Sequence, residues 1–284
     1  MLGHVLREPD ALALLLLALL IGATVGVGVV AGRRRDARGP RERDGQALTT
    51  WPHLLRLELL AGLLTLLVVT WWAILLEVPL GPPADPAVTP ALAKAPWFFI
   101  GVQEMLQYFD AWLAGAVLPL LMVFGLCALP YLDANPEGNG RYTLRRPVAL
   151  TVVAALIVMW LLPMVVGELY RGEHWALWPV WRPPPLSPDL PPPQPPPALS
   201  ARLGLAGATG QVLGAAVCLG PYLFMAISWP RLSRRYPQSV GRMGRVRYLV
   251  AGFLLVSAAG VVVKVALVAA LDVRYLWVTP WFRI

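Results

Sequence analysis

Six stretches of this chain, at roughly 11–32, 56–77, 111–131, 147–167, 205–229 and 248–271, are long, apolar and nearly free of charge. A helix needs about 20 such residues to cross a hydrocarbon layer of ~30 Å. The runs do not alternate apolar with polar side chains in segments of about 10 residues, as a membrane β-barrel would require. The helix is the remaining way to satisfy every backbone hydrogen bond in lipid. The expectation is therefore an all-α, polytopic membrane protein with about six transmembrane helices. The composition agrees: 57% of the 284 residues are hydrophobic and 14% charged, far more apolar than a soluble domain needs to fill its core.

The first run has 22 apolar residues and is followed by Arg33, Arg34 and Arg35. A secretory signal core spans about 7–15 residues, so this segment is expected to be retained as a membrane span. Cys127 and Cys218 both fall inside spans and belong to no CxxC or CxxCH motif. They read as small packing residues rather than a disulfide or a haem attachment.

The formal charge of +8 is concentrated in three loops. Residues 33–44 carry six Arg against three acids, 133–146 three Arg against two, and 231–247 six Arg and no acid. The loops between them are acidic or balanced, with Asp85, Glu104 and Asp110 against Lys94 in 78–110. The positive-inside rule then places the Arg-rich loops in the cytoplasm, and both termini and the 78–110 loop outside. Arginines at membrane edges are explained by topology and anionic lipid, which removes the nucleic-acid reading of a basic chain.

No internal repeat is evident. Residues 1–50 hold one span and an Arg-rich cytoplasmic linker, 51–170 three spans with the 78–110 loop, 171–204 a Pro-rich extracytoplasmic linker, and 205–284 a C-terminal helical hairpin. The linker includes RPPPLSPDLPPPQPPPALS from Arg182 to Ser200, too rich in proline for helix or sheet, and reads as an extended polyproline spacer.

The 78–110 loop is the most informative segment. Pro82, Pro83, Pro86 and Pro90 forbid a regular span there, so it should fold as compact irregular backbone at the interface. Trp97, Phe98 and Phe99 then form an aromatic cluster suited to an interface belt or to the face of a quinone ring.

The order of residues in this loop resembles the C-terminal part of cytochrome b and subunit IV of cytochrome b6f complexes. There, a segment close to ADP-x-x-TP is followed by Pro-Glu-Trp-Tyr and then a membrane span. Here PADPAVTP (Pro83 to Pro90) is followed by KAPWFF (Lys94 to Phe99), and a span opens at Asp110, Ala111 and Trp112. The resemblance covers roughly 56–170, the family's helices E, F and G. It implies a membrane subunit of a quinol-oxidising complex, with the loop as one wall of the quinol site. The quinone contacts it implies are Pro96, Trp97, Phe98, Phe99, Gln103 and Tyr108. The sequence departs from the family where Pro96 stands in place of the motif Glu and Phe98 in place of the Tyr, so that proton acceptor is not carried over. A divergent bacterial branch of cytochrome bc complexes, using menaquinol, fits the variant.

Another group must then accept the quinol proton, and Glu104 is the first candidate. On a short interfacial helix over 97–108 it lies seven residues after Trp97, two turns along the same face. Its neighbours Gly101, Val102, Met105 and Leu106 would desolvate it partly and favour general-base chemistry. Tyr108, Asp110 and Gln103 are the nearby polar alternatives, and solvation of an amphipathic face is the bland reading.

A low-spin haem wants two axial imidazoles. The three histidines, His4, His53 and His174, lie on different loops and ends, so no haem is expected to be held by this chain alone. The haems b and c and an iron–sulfur cluster are expected on partners: a cytochrome b N-terminal-type subunit, and a cytochrome c or Rieske subunit, in a multi-subunit complex of the bacterial inner membrane. No metal site, phosphate-binding Gly loop or nucleophile elbow is present in the sequence. Lys264, the clear ionisable group deep in a span, is expected to snorkel toward the interface or a lipid headgroup. A non-catalytic anchor subunit is the alternative reading. A small transporter is weaker, because the spans offer few convergent polar groups.

Overall fold

The computed structural model describes residues 9–38, 50–75, 83, 86–87, 93–96, 98–133, 143–172, 175, 177, 198–205, 207–271 and 273–284. Six of its helical segments are long and apolar enough to cross a membrane, which makes the chain an all-α, multi-pass membrane protein. They contain α1 (Pro9–Arg38), α2 (Leu55–Leu75), α4 (Leu118–Leu132), α5 (Pro147–Leu169), α7 (Gly207–Arg235) and α8 (Arg245–Leu271). Two short helices, α3 (Ile100–Met105) and α6 (Leu199–Arg202), lie between them. A wide turn, Leu113–Val117, leads into α4. Among the described residues no strand forms, and isolated bridges join Arg171 to Leu177 and Val278 to Arg283.

The helices begin and continue where membrane chemistry permits. Pro147 opens α5 after the non-helical Arg146, the position where proline's missing N–H costs nothing. Pro130, Pro163, Pro221 and Pro230 lie inside helices, as spans tolerate when neighbours resatisfy the freed carbonyls. Thr24, Thr65, Thr70 and Thr151 each return their hydroxyl to the carbonyl four residues back, which hides a polar group from lipid.

Two compact units are present, 38–90 and the rest of the chain. In the 38–90 unit, α2 has no buried residue, and its exposed leucines, with Trp71 and Ile74, form a side-chain surface of hydrocarbon character.

In the larger unit the core lies between α3, α4, α5 and α8. Met105, Leu118, Leu132, Leu156, Met159, Leu254 and Val261 are buried together there. Gly125 marks a close three-helix crossing: a Cβ added to it would stand 2.7 Å from Leu156 Cδ1 and 3.2 Å from Leu254 Cδ2. Small residues allow spans to approach closely, and dispersion then replaces the hydrophobic drive that lipid cannot supply. Helix α1 joins this unit at two levels. Leu17 packs on the Ile100 and Met164 cluster, while Asp36 accepts hydrogen bonds from the Thr143 hydroxyl at 2.8 Å and the Leu144 N–H at 3.0 Å.

Candidate functional site

The described end of the loop, 93–99, is tied to α3 by its own residues. Gln103 Oε1 accepts the Ala95 N–H at 2.7 Å and its Nε2 donates to the Ala93 carbonyl at 2.8 Å. The Pro96 carbonyl accepts the N–H groups of Phe99 (2.7 Å) and Ile100 (3.3 Å), which closes the first turn of α3. Lys94 Nζ donates to the Glu168 carbonyl at 2.6 Å, so a cation sits on the C-terminal end of α5, where the helix dipole favours one. Pro96 and Gln103, expected as quinone contacts, shape the backbone here.

Helix α3 lies against α5 with little between them. A Cβ on Gly101 would stand 2.6 Å from Met164 Cγ, and one on Gly167 would stand 3.2 Å from the Ile100 carbonyl oxygen. Ile100 and Met164, both fully buried, fill the seam. This docking directs Glu104 to the point where α5 ends, and its side chain is completely buried.

Arg171, two residues past the last residue of α5, meets it there. Its Nε donates to Glu104 Oε2 at 2.8 Å and its Nη2 to Oε1 at 2.6 Å. Such two-pronged pairs are the strongest geometry a guanidinium offers a carboxylate. The Tyr108 hydroxyl donates to Glu104 Oε1, and Trp175 Nε1 donates to Oε2 at 3.0 Å. Arg171 also places Nη1 on the Trp175 carbonyl at 2.8 Å. Every oxygen of the carboxylate is therefore engaged.

The same bonds hold Trp175 at a φ of +58°. This left-handed conformation costs a non-Gly residue about 1–3 kcal/mol and persists where surrounding contacts over-determine it. The electrostatics are consistent with the geometry. Burial, and then the Glu104 charge, push the Tyr108 phenol well above its ordinary value of 10.0, so it stays a donor. For Arg171 burial opposes the charge, but the hydrogen bond and charge of Glu104 outweigh it and hold the guanidinium above its usual range.

The aromatic candidates face elsewhere. Phe98 is 40% and Phe99 60% exposed; their rings meet edge to face with centroids 5.5 Å apart. Phe98 leans on Trp160 of α5, also at 5.5 Å. The Trp160 indole nitrogen is buried with no hydrogen-bond partner among the described residues. Trp97 lies outside the described residues, as do His4 and His174. Asp110 binds the C-terminal segment, where its Oδ2 accepts the Arg283 N–H at 2.6 Å.

The structure thus brings Glu104 and Tyr108 together, sets Phe98 and Phe99 on the adjoining surface, and adds three residues that sequence reasoning missed: Arg171, Trp175 and Trp160. Arg171 had a usable signal. It is a cation at the end of a span, beside Glu168 and Glu173 in a loop (168–202) that carries three Arg against three acids.

These features define a polytopic helical membrane protein with a short helix docked on the end of a span. Residues 83–179 match the family model for cytochrome b(C-terminal)/b6/petD, so this third of the chain is similar to the cytochrome b C-terminal domain. The matched segment spans α3, α4, α5 and the Glu104 network. No solved structure matches the chain. The family belongs to cytochrome bc-type electron-transfer complexes, in which it is linked with quinone and haem.

Proposed function

We propose that the chain is a membrane subunit of a cytochrome bc-type quinol oxidoreductase and that its 78–110 loop forms one wall of the quinol-oxidation site. The observation that carries this reading is the family match over 83–179, which contains the loop, α3 and the two spans behind it. The local chemistry suits the task. Exposed Phe98 and Phe99 offer ring faces, and the buried Trp160 N–H, without a partner among the described residues, offers a donor for a quinone oxygen that enters behind Phe98. Among the described residues His53 is the one histidine, and it is exposed. In this reading haems b and c and an iron–sulfur cluster are carried by partner chains, as expected for a chain with three histidines on different loops and ends.

Oxidation of a quinol releases two electrons and two protons. The electrons pass to cofactors on the neighbouring cytochrome b N-terminal-type and cytochrome c or Rieske subunits. Glu104 is the proposed proton acceptor, under a condition that the sequence did not foretell. Its oxygens are filled by Arg171, Tyr108 and Trp175, so it takes a proton only when Arg171 moves off it. The Arg-rich loops at 33–44, 133–146 and 231–247 orient the chain with its termini and this site outside the bacterial inner membrane.

The saturated state of Glu104 also favours a second reading, in which the same network is purely structural and the chain anchors the complex. Purification with native partners, a haem spectrum and quinol-dependent haem reduction test both. Under the first reading the preparation carries haem, and Glu104→Gln lowers kcat and flattens its pH profile. A haem-bearing preparation whose turnover ignores Glu104→Gln and Phe98→Ala supports the anchor. A chain that purifies alone and colourless overturns both.

A further inference from the structure

A cavity of about 520 Å³ lies on the other side of the core, between the start of α4, α7 and α8. That volume is within the range of small-molecule sites. Its walls are mostly hydrocarbon, with Leu113, Val217, Phe253 and Val263 among them and the Tyr222 and Ser257 hydroxyls bonded to each other at 2.9 Å. It is lined along α8 from Phe253 to Leu267, fourteen residues or about 21 Å of helix. This is more than half of the ~30 Å hydrocarbon layer, enough to take one acyl chain. Much of it lies beyond the segment that matches the family, since α7 and α8 follow residue 179.

One end of the cavity is positive. Lys264 is 2% exposed, and its ammonium group donates one hydrogen bond, to the Arg274 carbonyl at 2.6 Å. The nitrogen lies 5.4 Å from the Phe109 ring centre and 5.7 Å from that of Tyr275. Arg274 and Arg283 approach the same Tyr275 ring at 5.2 and 6.0 Å. Among the described residues none of these three cations forms a salt bridge with a carboxylate. A buried ammonium ion has three donors and a charge that low-dielectric surroundings do not offset without an anion.

The positive end is also roofed. Residues 276–284 fold back as a small hairpin, with the Leu276 and Trp277 N–H groups on the Ile284 carbonyl at 2.6 and 3.0 Å. Trp277 Nε1 donates to Gln211 Oε1 of α7 at 3.0 Å. Gly214 permits this approach, because a Cβ there would stand 2.8 Å from the Leu276 carbonyl oxygen.

We infer that this cavity binds an anionic phospholipid, with one acyl chain along α8 and the phosphate against the Lys264, Arg274 and Arg283 cluster. The occupant is anionic because Lys264, the basic residue that lines the cavity, is buried with no carboxylate at salt-bridge distance among the described residues, while Arg274 and Arg283 approach the same Tyr275 ring. It is a lipid because the rest of the wall is predominantly hydrocarbon, with the Tyr222 and Ser257 hydroxyls bonded to each other, and the groove is long enough for a chain. The inference stands independently of the quinol reading.

The test uses the full chain with its native partners, stripped of lipid in mild detergent and probed with spin-labelled phosphatidylglycerol or phosphatidylcholine. The wild type is expected to immobilise phosphatidylglycerol roughly fivefold in preference to phosphatidylcholine, the ratio one buried basic residue supports. Lys264→Met should abolish the preference and Lys264→Arg should keep it. Gly260→Leu provides a second variant: a Cβ at Gly260 meets nothing within 4 Å, so the side chain enters the groove and should reduce immobilisation of both lipids. Equal immobilisation by the wild type, a preference that survives Lys264→Met, or displacement of the lipid by a neutral quinone would overturn the inference.

Discussion

Gly167 lies directly beneath Glu104: a Cβ on the glycine would stand 3.4 Å from the Glu104 Cβ and 3.0 Å from Ile100 Cγ1. The closeness of α3 to α5 therefore depends on a side chain that is missing. Gly167→Ala is expected to cost about 1–3 kcal/mol, the usual range for overpacking a tight seam. Faster amide exchange confined to 100–105 would show that α3 has lifted; unchanged exchange would refute the seam.

The buried pair of Glu104 and Arg171 should respond asymmetrically to substitution. Removing one partner, as in Arg171→Met, leaves a buried charge and is expected to cost about 3–5 kcal/mol. Replacing both by Leu and Met should cost less than the sum of the single changes, because no charge is stranded. A double-mutant cycle measured by denaturation in detergent checks this, and additive costs would contradict the pairing.

Tyr108 should resist ionisation. Its folded-state value is raised above the ordinary 10.0, first by burial and then by the Glu104 charge. Its contribution to stability is therefore complete below pH 10.0 and is lost as the pH rises beyond that toward the folded value. A tyrosinate absorbance titration should lose one late-titrating tyrosine on Tyr108→Phe. Early titration of Tyr108 in the folded protein would argue against its contact with Glu104.

Phe98 and Trp160 should matter for quinol affinity. Phe98→Ala removes an exposed ring face, and Trp160→Phe removes the unsatisfied N–H while keeping an aromatic side chain. Each is expected to raise the quinol KM, by several-fold to roughly tenfold for one lost hydrogen bond. Unchanged KM in both variants would remove this surface from the quinol wall.

The helices were legible in advance because their signal is one-dimensional. Lipid offers no hydrogen bonds, so any run of about 20 apolar residues must close its own. All six expected spans recur as helices, some extended by a turn or two, as with α1 over Pro9–Arg38. The cytochrome b C-terminal resemblance was legible for the same kind of reason, since an ordered set of prolines and aromatics survives as text. Lys264 was expected to snorkel. Its ammonium group instead ends on the Arg274 carbonyl of the segment that follows the helix, close to Tyr275 and hidden from solvent.

The arrangement around Glu104 was not legible. A sequence shows that Glu104 is flanked by apolar residues, yet its partner Arg171 is 67 positions away, and nothing local links them. Composition and periodicity alone determined that this chain spans a membrane as helices, because backbone hydrogen bonding in lipid leaves no other course. Tertiary structure alone decided that Glu104 is a clamped anion and that Lys264 faces an apolar cavity. Those outcomes depend on how closely helix ends meet, and that distance is set by the absent side chains of Gly101 and Gly167 and by the fold of the last residues over α7.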